Sequence, residues 1–132
     1  MVISVVIPAF NEELYLPATL SKLQDATSTC GCSVELIVVD NGSTDRTAAV
    51  ALSFGAQVVH EPVHNIARVR NAGAAVAHGD VLAFVDADTT VPPHFLDRLA
   101  DAMGDPACMG GSAHVVYTPK SSLLRVYLYA WR

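Results

Sequence analysis

Four short apolar runs, rich in β-branched residues, alternate along this chain with segments of helical periodicity. The runs occupy residues 2–7, 34–39, 56–61 and 81–85. Alternating strands and helices favour parallel strand pairs joined by crossover helices. A continuous apolar run, such as the one at 81–85, is typical of a strand buried on both faces. We therefore predict an α/β fold, a Rossmann-like and mostly parallel sheet with helices on both faces.

The segments between the runs carry helix signals. Leucines recur at helical spacing after residue 13, with Asn11 as the expected N-cap and Pro17 tolerable only in the first turn. A second helix is predicted over residues 45–54, with Gly55 at its C′ position. Asn65 is the expected cap of a third helix, and a fourth is expected to begin at residues 92–93.

Length, composition and charge limit the possible classes. A chain of 132 residues that is 52% hydrophobic is expected to form one domain, residues 1–132, with a proper core. Its net charge of -5 argues against a nucleic-acid binder, which needs a basic face. The sequence has no run as long as a membrane span and no secretion signal, so we expect a cytoplasmic protein.

The three cysteines and the tail carry weaker signals. Cys30 and Cys32 flank one glycine, a spacing that rarely closes a disulfide, so we expect reduced thiols. Residues 121–132 are predicted to form an apolar helix, which must be covered by another apolar surface. A homodimer, a membrane surface that the protein binds peripherally, or a continuation of the polypeptide would each supply that cover.

Polar clusters follow three of the predicted strands, at residues 11–13, 40–41 and 86–88. Because the carboxyl ends of parallel strands meet at one edge of a sheet, we expect these clusters to converge. If the strand stays extended, Asp86 and Asp88 share one side, with Cα atoms roughly 6.5 to 7 Å apart. Such a pair favours a hard divalent cation, Mg²⁺ or Mn²⁺, although either carboxylate could instead cap a turn or helix.

A phosphorylated ligand would have to be held through this cation, since the chain has neither a dinucleotide glycine fingerprint nor a P-loop. Arg68 and Arg70 offer positive charge, or form a solvated helix face; Arg70, next to Asn71, is the better candidate. Asp40 is predicted to bind a ribose hydroxyl or a base N–H, or else to cap a helix. We expect four histidines at the surface, His60, His64, His78 and His94, and weigh His114 as a metal ligand.

Together these residues resemble family 2 glycosyltransferases of the GT-A fold over almost the whole chain. VVIPAFNEE at residues 5–13 is similar to the family's opening strand and loop. ELIVVDNGSTDRT at 35–47 resembles its second strand and uridine-contacting turn. RNAGAAVAHGDVLAFVDAD at 70–88 resembles its helix, strand and metal-binding DXD triplet.

The resemblance implies a metal-dependent transferase of the inverting kind that binds a UDP- or GDP-linked sugar. It implies that Asp40 binds the base, that Arg70 lies near the diphosphate, that Asp86 faces the ribose and the metal's water shell, and that Asp88 ligates Mn²⁺ or Mg²⁺. The expected nucleotide-sugar-binding residues are Pro8, Ala9, Phe10, Glu12, Asp40, Asn41, Arg70, Asn71, Asp86 and Ala87; the expected metal ligands are Asp86 and Asp88.

Family members that invert also use a carboxylate base, expected well downstream of residues 110–111, and this chain stops at Arg132. We therefore expect a truncated chain, the nucleotide-sugar half of the enzyme, with no catalytic residue assigned and no turnover predicted for this half alone. The acceptor, a sugar, lipid or protein, stays open. Two alternatives are a catalytically silent nucleotide-sugar-binding or assembly module and a receiver-type signalling domain.

Overall fold

The computed structural model describes residues 1–116, in which four strands form one parallel sheet. The strands are β1 Val2–Ala9, β2 Ser33–Asp40, β3 Gln57–His60 and β4 Val81–Phe84. Along the sheet they follow the order β3-β2-β1-β4, so β1 pairs with both β2 and β4. This arrangement confirms the predicted α/β class.

Four helices cover the two faces of the sheet, as predicted. The helices are α1 Leu16–Thr29, α2 Thr47–Ser53, α3 Ile66–Val76 and α4 Phe95–Met103. Side chains that alternate along β1 enter different clusters: Ile3, Val5 and Ile7 pack with α1, α2 and α4, whereas Val6 packs with α3. Because successive strand residues point to opposite faces, β1 is buried on both sides.

Several predicted helix signals are confirmed. The Asn65 side chain accepts a hydrogen bond from the Arg68 N–H (3.1 Å) and so caps α3. Gly55 follows α2 with φ 74°, a left-handed conformation that glycine adopts without strain. Pro17 lies in the first turn of α1.

The prediction that Asn11 caps α1 is wrong. The N-cap position is Tyr15, and Asn11 precedes it with φ 53°. The Asn11 side-chain oxygen instead accepts a hydrogen bond from the Thr44 N–H (2.8 Å), in the loop after β2. A long-range contact has replaced the local cap.

The prediction that β4 is buried on both faces is also wrong. Leu82 and Phe84 are 44% and 46% exposed, because β4 is an edge strand among residues 1–116 and α3 packs on β1 and β2. The extended conformation ends at Phe84, and the Thr89 N–H donates to the Asp86 carbonyl (3.0 Å) in a turn. The Cα separation expected for an extended Asp86–Asp88 pair therefore does not apply, although both side chains are exposed.

The expectation of reduced thiols fails for one pair, since Cys30 and Cys32 form a disulfide. Their Cα atoms are 5.3 Å apart, within the range that a disulfide spans, in the short connection between α1 and β2. Cys108 is a free thiol.

The end of the described chain is irregular. Residues 107–116 contain neither helix nor strand, and the predicted apolar helix at 121–132 lies outside the described residues. Among the helices within residues 1–116, none has the length and apolar character needed to cross a membrane.

Candidate active site

The loops that follow β1 and β2 are joined to each other by hydrogen bonds. The Asn11 N–H donates to Ser43 Oγ (3.0 Å), and the Thr44 N–H donates back to Asn11 Oδ1 (2.8 Å). One residue later, the Glu12 N–H donates to Thr47 Oγ1 (2.9 Å) at the start of α2. These contacts hold the Glu12 backbone against the β2–α2 loop, so two of the three predicted polar clusters meet.

Asp40 ends β2 almost completely buried, at 5% exposure. Its Oδ1 accepts the Ser43 N–H (3.2 Å), and its Oδ2 lies 3.2 Å from Nδ1 of His60, at the end of β3. The alternative that Asp40 caps a helix is wrong, because the N-cap of α2 is Arg46. His60 is largely exposed, as predicted, but its contact with Asp40 was not foreseen, since only strand order makes the two neighbours.

Asn41 stabilises the same edge through hydrogen bonds to its neighbours. Its N–H donates to the Ala9 carbonyl (2.9 Å), and its side-chain amide donates to the carbonyls of Glu61 and Val63. Ala9 is buried beside it. Ala9 contributes its carbonyl to this edge, and Asn41 contributes its N–H and its side-chain amide, so Asn41 links β1 to the segment after β3.

Phe10 is the exposed aromatic residue of the β1–α1 loop. Its ring is 48% exposed and meets the His64 ring edge-on, with centroids 4.8 Å apart. Pro8, the other predicted pocket residue on β1, is partly buried. The exposed face of Phe10 is a surface on which a planar ring could stack.

Three carboxylates interact electrostatically around the first loop. Partial burial raises the pKa of Glu12, and the negative charges of Asp88 and Asp45 raise it further. The third polar cluster therefore lies within electrostatic range of the first. The part of this increase that comes from Asp88 and Asp45 reflects like charges close to Glu12, and such a setting favours binding of a cation.

The turn that carries the paired aspartates is anchored through Ala87. Ala87 is buried, and its carbonyl accepts a hydrogen bond from Thr19 Oγ1 (2.7 Å) on α1. Asp86 and Asp88 flank it and are exposed. The buried residue thus positions two carboxylates toward solvent.

Arg70 reaches this turn from α3. Its Nη2 lies 3.5 Å from Asp86 Oδ1, and its guanidinium carbon lies 5.9 Å from the centre of the Phe84 ring. Asn71 follows it and lines a cleft of about 290 Å³ with Glu61, Arg68 and Ala72. Arg68 pairs with Glu61 (3.6 Å) instead of the aspartates. Of the two arginines, Arg70 is the one next to the predicted metal ligands.

The carboxylates of this site fit a cation that also binds phosphate oxygens of a bound ligand. Within residues 1–116 no three His, Cys, Asp or Glu side chains form a group able to hold a metal, so His114 is not placed in one. Mg²⁺ and Mn²⁺ bound with phosphates commonly take only one or two protein carboxylates. Asp86 and Asp88 supply that number in a region of excess negative charge.

A sequence model of the family described as "Glycosyl transferase family 2" matches residues 4–127. The chain belongs to glycosyltransferase family 2. Two family relatives are an uncharacterized glycosyltransferase of Mycobacterium tuberculosis and the undecaprenyl-phosphate 4-deoxy-4-formamido-L-arabinose transferase of Pseudomonas aeruginosa. The first is 38% identical over 74% of this chain and 41% of its own length; the second is 35% identical over 75% and 31%.

Solved glycosyltransferases share the fold. S. aureus TarS in complex with UDP-GlcNAc superposes with a TM-score of 0.70 at 25% identity, covering 80% of this chain and 32% of TarS. M. tuberculosis glucosyl-3-phosphoglycerate synthase with Mn²⁺ and UDP-glucose gives a TM-score of 0.67 at 32% identity, covering 80% and 40%. The sheet is thus of the GT-A type, and the receiver-type alternative is wrong.

The family 2 chain described here spans only part of its relatives. It covers between 30% and 41% of the length of the curated glycosyltransferases it matches. The matched region establishes the family and the fold, but it leaves the donor, the acceptor and turnover open.

Proposed function

We propose that this chain is the nucleotide-sugar-binding part of a glycosyltransferase that uses a divalent cation to bind the donor's diphosphate. The observation that carries the proposal is the convergence of Glu12, Asp40 and the Asp86–Asp88 turn at the carboxyl edge of β1, β2 and β4, with Arg70 beside them. Acidic side chains there would repel a diphosphate unless a cation intervened. One arginine alone leaves the edge negative.

The residues then have distinct roles. Asp40, held by the Ser43 N–H and facing the same edge, would accept a hydrogen bond from the base, and Phe10 would contact the base or ribose. Arg70 and Asn71 would bind the diphosphate from α3. Asp88, with Asp86, would hold Mg²⁺ or Mn²⁺, which when bound offsets the negative charge that develops on the departing nucleoside diphosphate.

The solved relatives guide the choice of ligand. Their structures contain UDP, UDP-GlcNAc, or UDP-glucose with Mn²⁺, so UDP with Mn²⁺ is the first pair to test, and GDP the comparison. The acceptor is open. One relative's name specifies undecaprenyl phosphate, which makes a lipid phosphate a reasonable acceptor class to test.

No residue is assigned as the catalytic base. Asp97 and Asp101 lie on α4, and Asp105 follows it. The proposal therefore covers donor binding first. Donor binding without transfer to any acceptor would instead match the hypothesis of a silent binding module.

Titration calorimetry tests donor binding. We expect UDP to bind the whole chain only with Mn²⁺ or Mg²⁺, and Asp88→Asn to remove the cation-dependent part, a loss of at least tenfold in affinity. Asp25→Asn is the matched control, because it removes one surface carboxylate that pairs with Lys22 on α1. Metal-independent binding, or no binding of either nucleotide by the wild type, would refute the proposal.

A further inference from the structure

Arg70 is placed between two partners that both come from the end of β4. Its Nη2 lies 3.5 Å from the Asp86 carboxylate, and its guanidinium lies over the Phe84 ring at 5.9 Å. Its Nε is buried, and within the described part of the chain this atom has no hydrogen-bond partner. The guanidinium thus uses only part of its hydrogen-bonding capacity.

The ion pair with Asp86 is weak enough to be exchanged. The side chains of Arg70 and Asp86 are 43% and 65% exposed, so water screens their attraction. Pairs of this kind contribute roughly 0 to 1 kcal/mol. A contact with an aromatic face has no fixed hydrogen-bond direction, so the Phe84 ring allows the guanidinium to turn while it stays near the site.

A cation and Arg70 would compete for the Asp86 carboxylate. A divalent ion held by Asp86 and Asp88 would place two positive charges beside the guanidinium, and like charges at this range repel. In the absence of a diphosphate, Arg70 therefore opposes binding of the cation. Once a diphosphate is bound, its oxygens offer Arg70 a new anionic partner, and the opposition disappears.

We propose that Arg70 exchanges partners, from Asp86 in the cation-free site to the diphosphate in the loaded site, and thereby couples binding of the cation to binding of the nucleotide. Arg70 is in this respect a positioning residue. The proposal rests on the proposed function, since it requires a diphosphate and a cation at this edge. It predicts that each ligand binds more tightly when the other is present, by the same factor.

Replacement of Arg70 should change the two affinities in opposite directions. Without nucleotide, Arg70→Met should bind Mn²⁺ roughly threefold more tightly, because the competing charge is gone. With saturating Mn²⁺, the same variant should bind UDP roughly tenfold more weakly, because the diphosphate has lost a charged donor. Arg70→Lys keeps the charge and should restore Mn²⁺ binding to nearly the wild-type value.

Electron paramagnetic resonance of free Mn²⁺ gives the first affinity, and calorimetry with UDP gives the second, both on the whole chain. Arg98→Met is the matched control, because it removes one exposed arginine from α4. Far-UV circular dichroism confirms that each variant is folded, and Arg70→Gln, which also lacks the charge, takes the place of Arg70→Met if that variant does not fold.

Two failures are distinguishable. If the wild type binds UDP with Mn²⁺ but Arg70→Met binds Mn²⁺ alone no more tightly than the wild type, the exchange of partners is refuted and the proposed function stands. If the wild type binds no Mn²⁺ with or without UDP, both are refuted. Equal changes in Arg70→Met and Arg98→Met also refute the exchange, because they show a general charge effect.

Discussion

Helix α3 carries Arg70 and Asn71, and its distance from the sheet is set by Gly73, a buried residue one turn later. A Cβ atom added at Gly73 would lie 2.3 Å from Cγ1 of Val6 and 2.9 Å from Cγ2 of Val39. Val6 and Val39 belong to β1 and β2 and are fully buried. The short contact must lengthen by about 1.1 Å to reach the 3.4 Å of an ordinary contact.

We predict that Gly73→Ala destabilises the protein in spite of alanine's higher helix propensity. Overpacking a closely packed core costs about 1 to 3 kcal/mol, and replacing glycine by alanine within a helix gains about 1 kcal/mol. The net loss should be about 1 kcal/mol. Because α3 must move outward, UDP affinity should also fall, since Arg70 and Asn71 move with the helix.

Urea unfolding followed by circular dichroism measures the first effect and calorimetry the second. Ala75→Gly is the matched control, because Ala75 is exposed on the same helix and its replacement changes propensity without close packing. It should cost about 1 kcal/mol. If Gly73→Ala stabilises the protein by the amount that Ala75→Gly destabilises it, the packing argument is wrong.

Three further predictions concern single side chains. Burial and the charges of Asp88 and Asp45 raise the pKa of Glu12, so the folded state binds a proton more readily than the unfolded state, and stability falls as pH rises above the ordinary value of 4.5. Glu12→Gln should therefore raise the melting temperature at pH 7 but not at pH 3, while weakening cation-dependent UDP binding. Ser4→Ala should cost about 1 to 3 kcal/mol, because it removes a buried partner of the Glu35 carboxylate and of the Gly79 N–H (2.8 Å). The hydrogen bond from Ser4 to Glu35 is the main cause of the lowered pKa of Glu35. A lowered pKa contributes stability above pH 4.5 that is lost on acidification, so the cost of Ser4→Ala, measured from unfolding curves, should shrink at low pH. Asn65→Ala should cost about 1 kcal/mol through loss of the α3 cap, whereas Asn65→Asp should cost little in the same assay.

The carboxyl-edge clusters were predictable because strand direction follows from local pattern. Alternating strands and helices imply parallel strands, and parallel strands bring their carboxyl ends to one edge. The sequence alone therefore predicts that Glu12, Asp40 and Asp88 lie at a common edge. What each carboxylate contacts was not predictable, since Asp40 meets His60 only because β2 and β3 are neighbours.

Strand order is also the reason for two failed predictions. The apolar run at β4 has the composition of a central strand, but its position at the edge leaves Leu82 and Phe84 exposed. The Asn11 cap failed because Thr44, distant in sequence, offered its N–H to the same side chain. A sequence pattern reports neighbours along the chain, and both outcomes depend on neighbours across the sheet.

The sequence by itself determined the α/β class, the caps at Asn65 and Gly55, and the kinds of side chain at the site, because these depend on backbone preferences and periodicity within a few residues. Tertiary structure alone decided that Arg70 meets Asp86, that the first two loops join, and that Cys30 is bonded to Cys32. These contacts depend on how α3 packs and on how the chain reverses between elements. The local pattern of residues specifies neither.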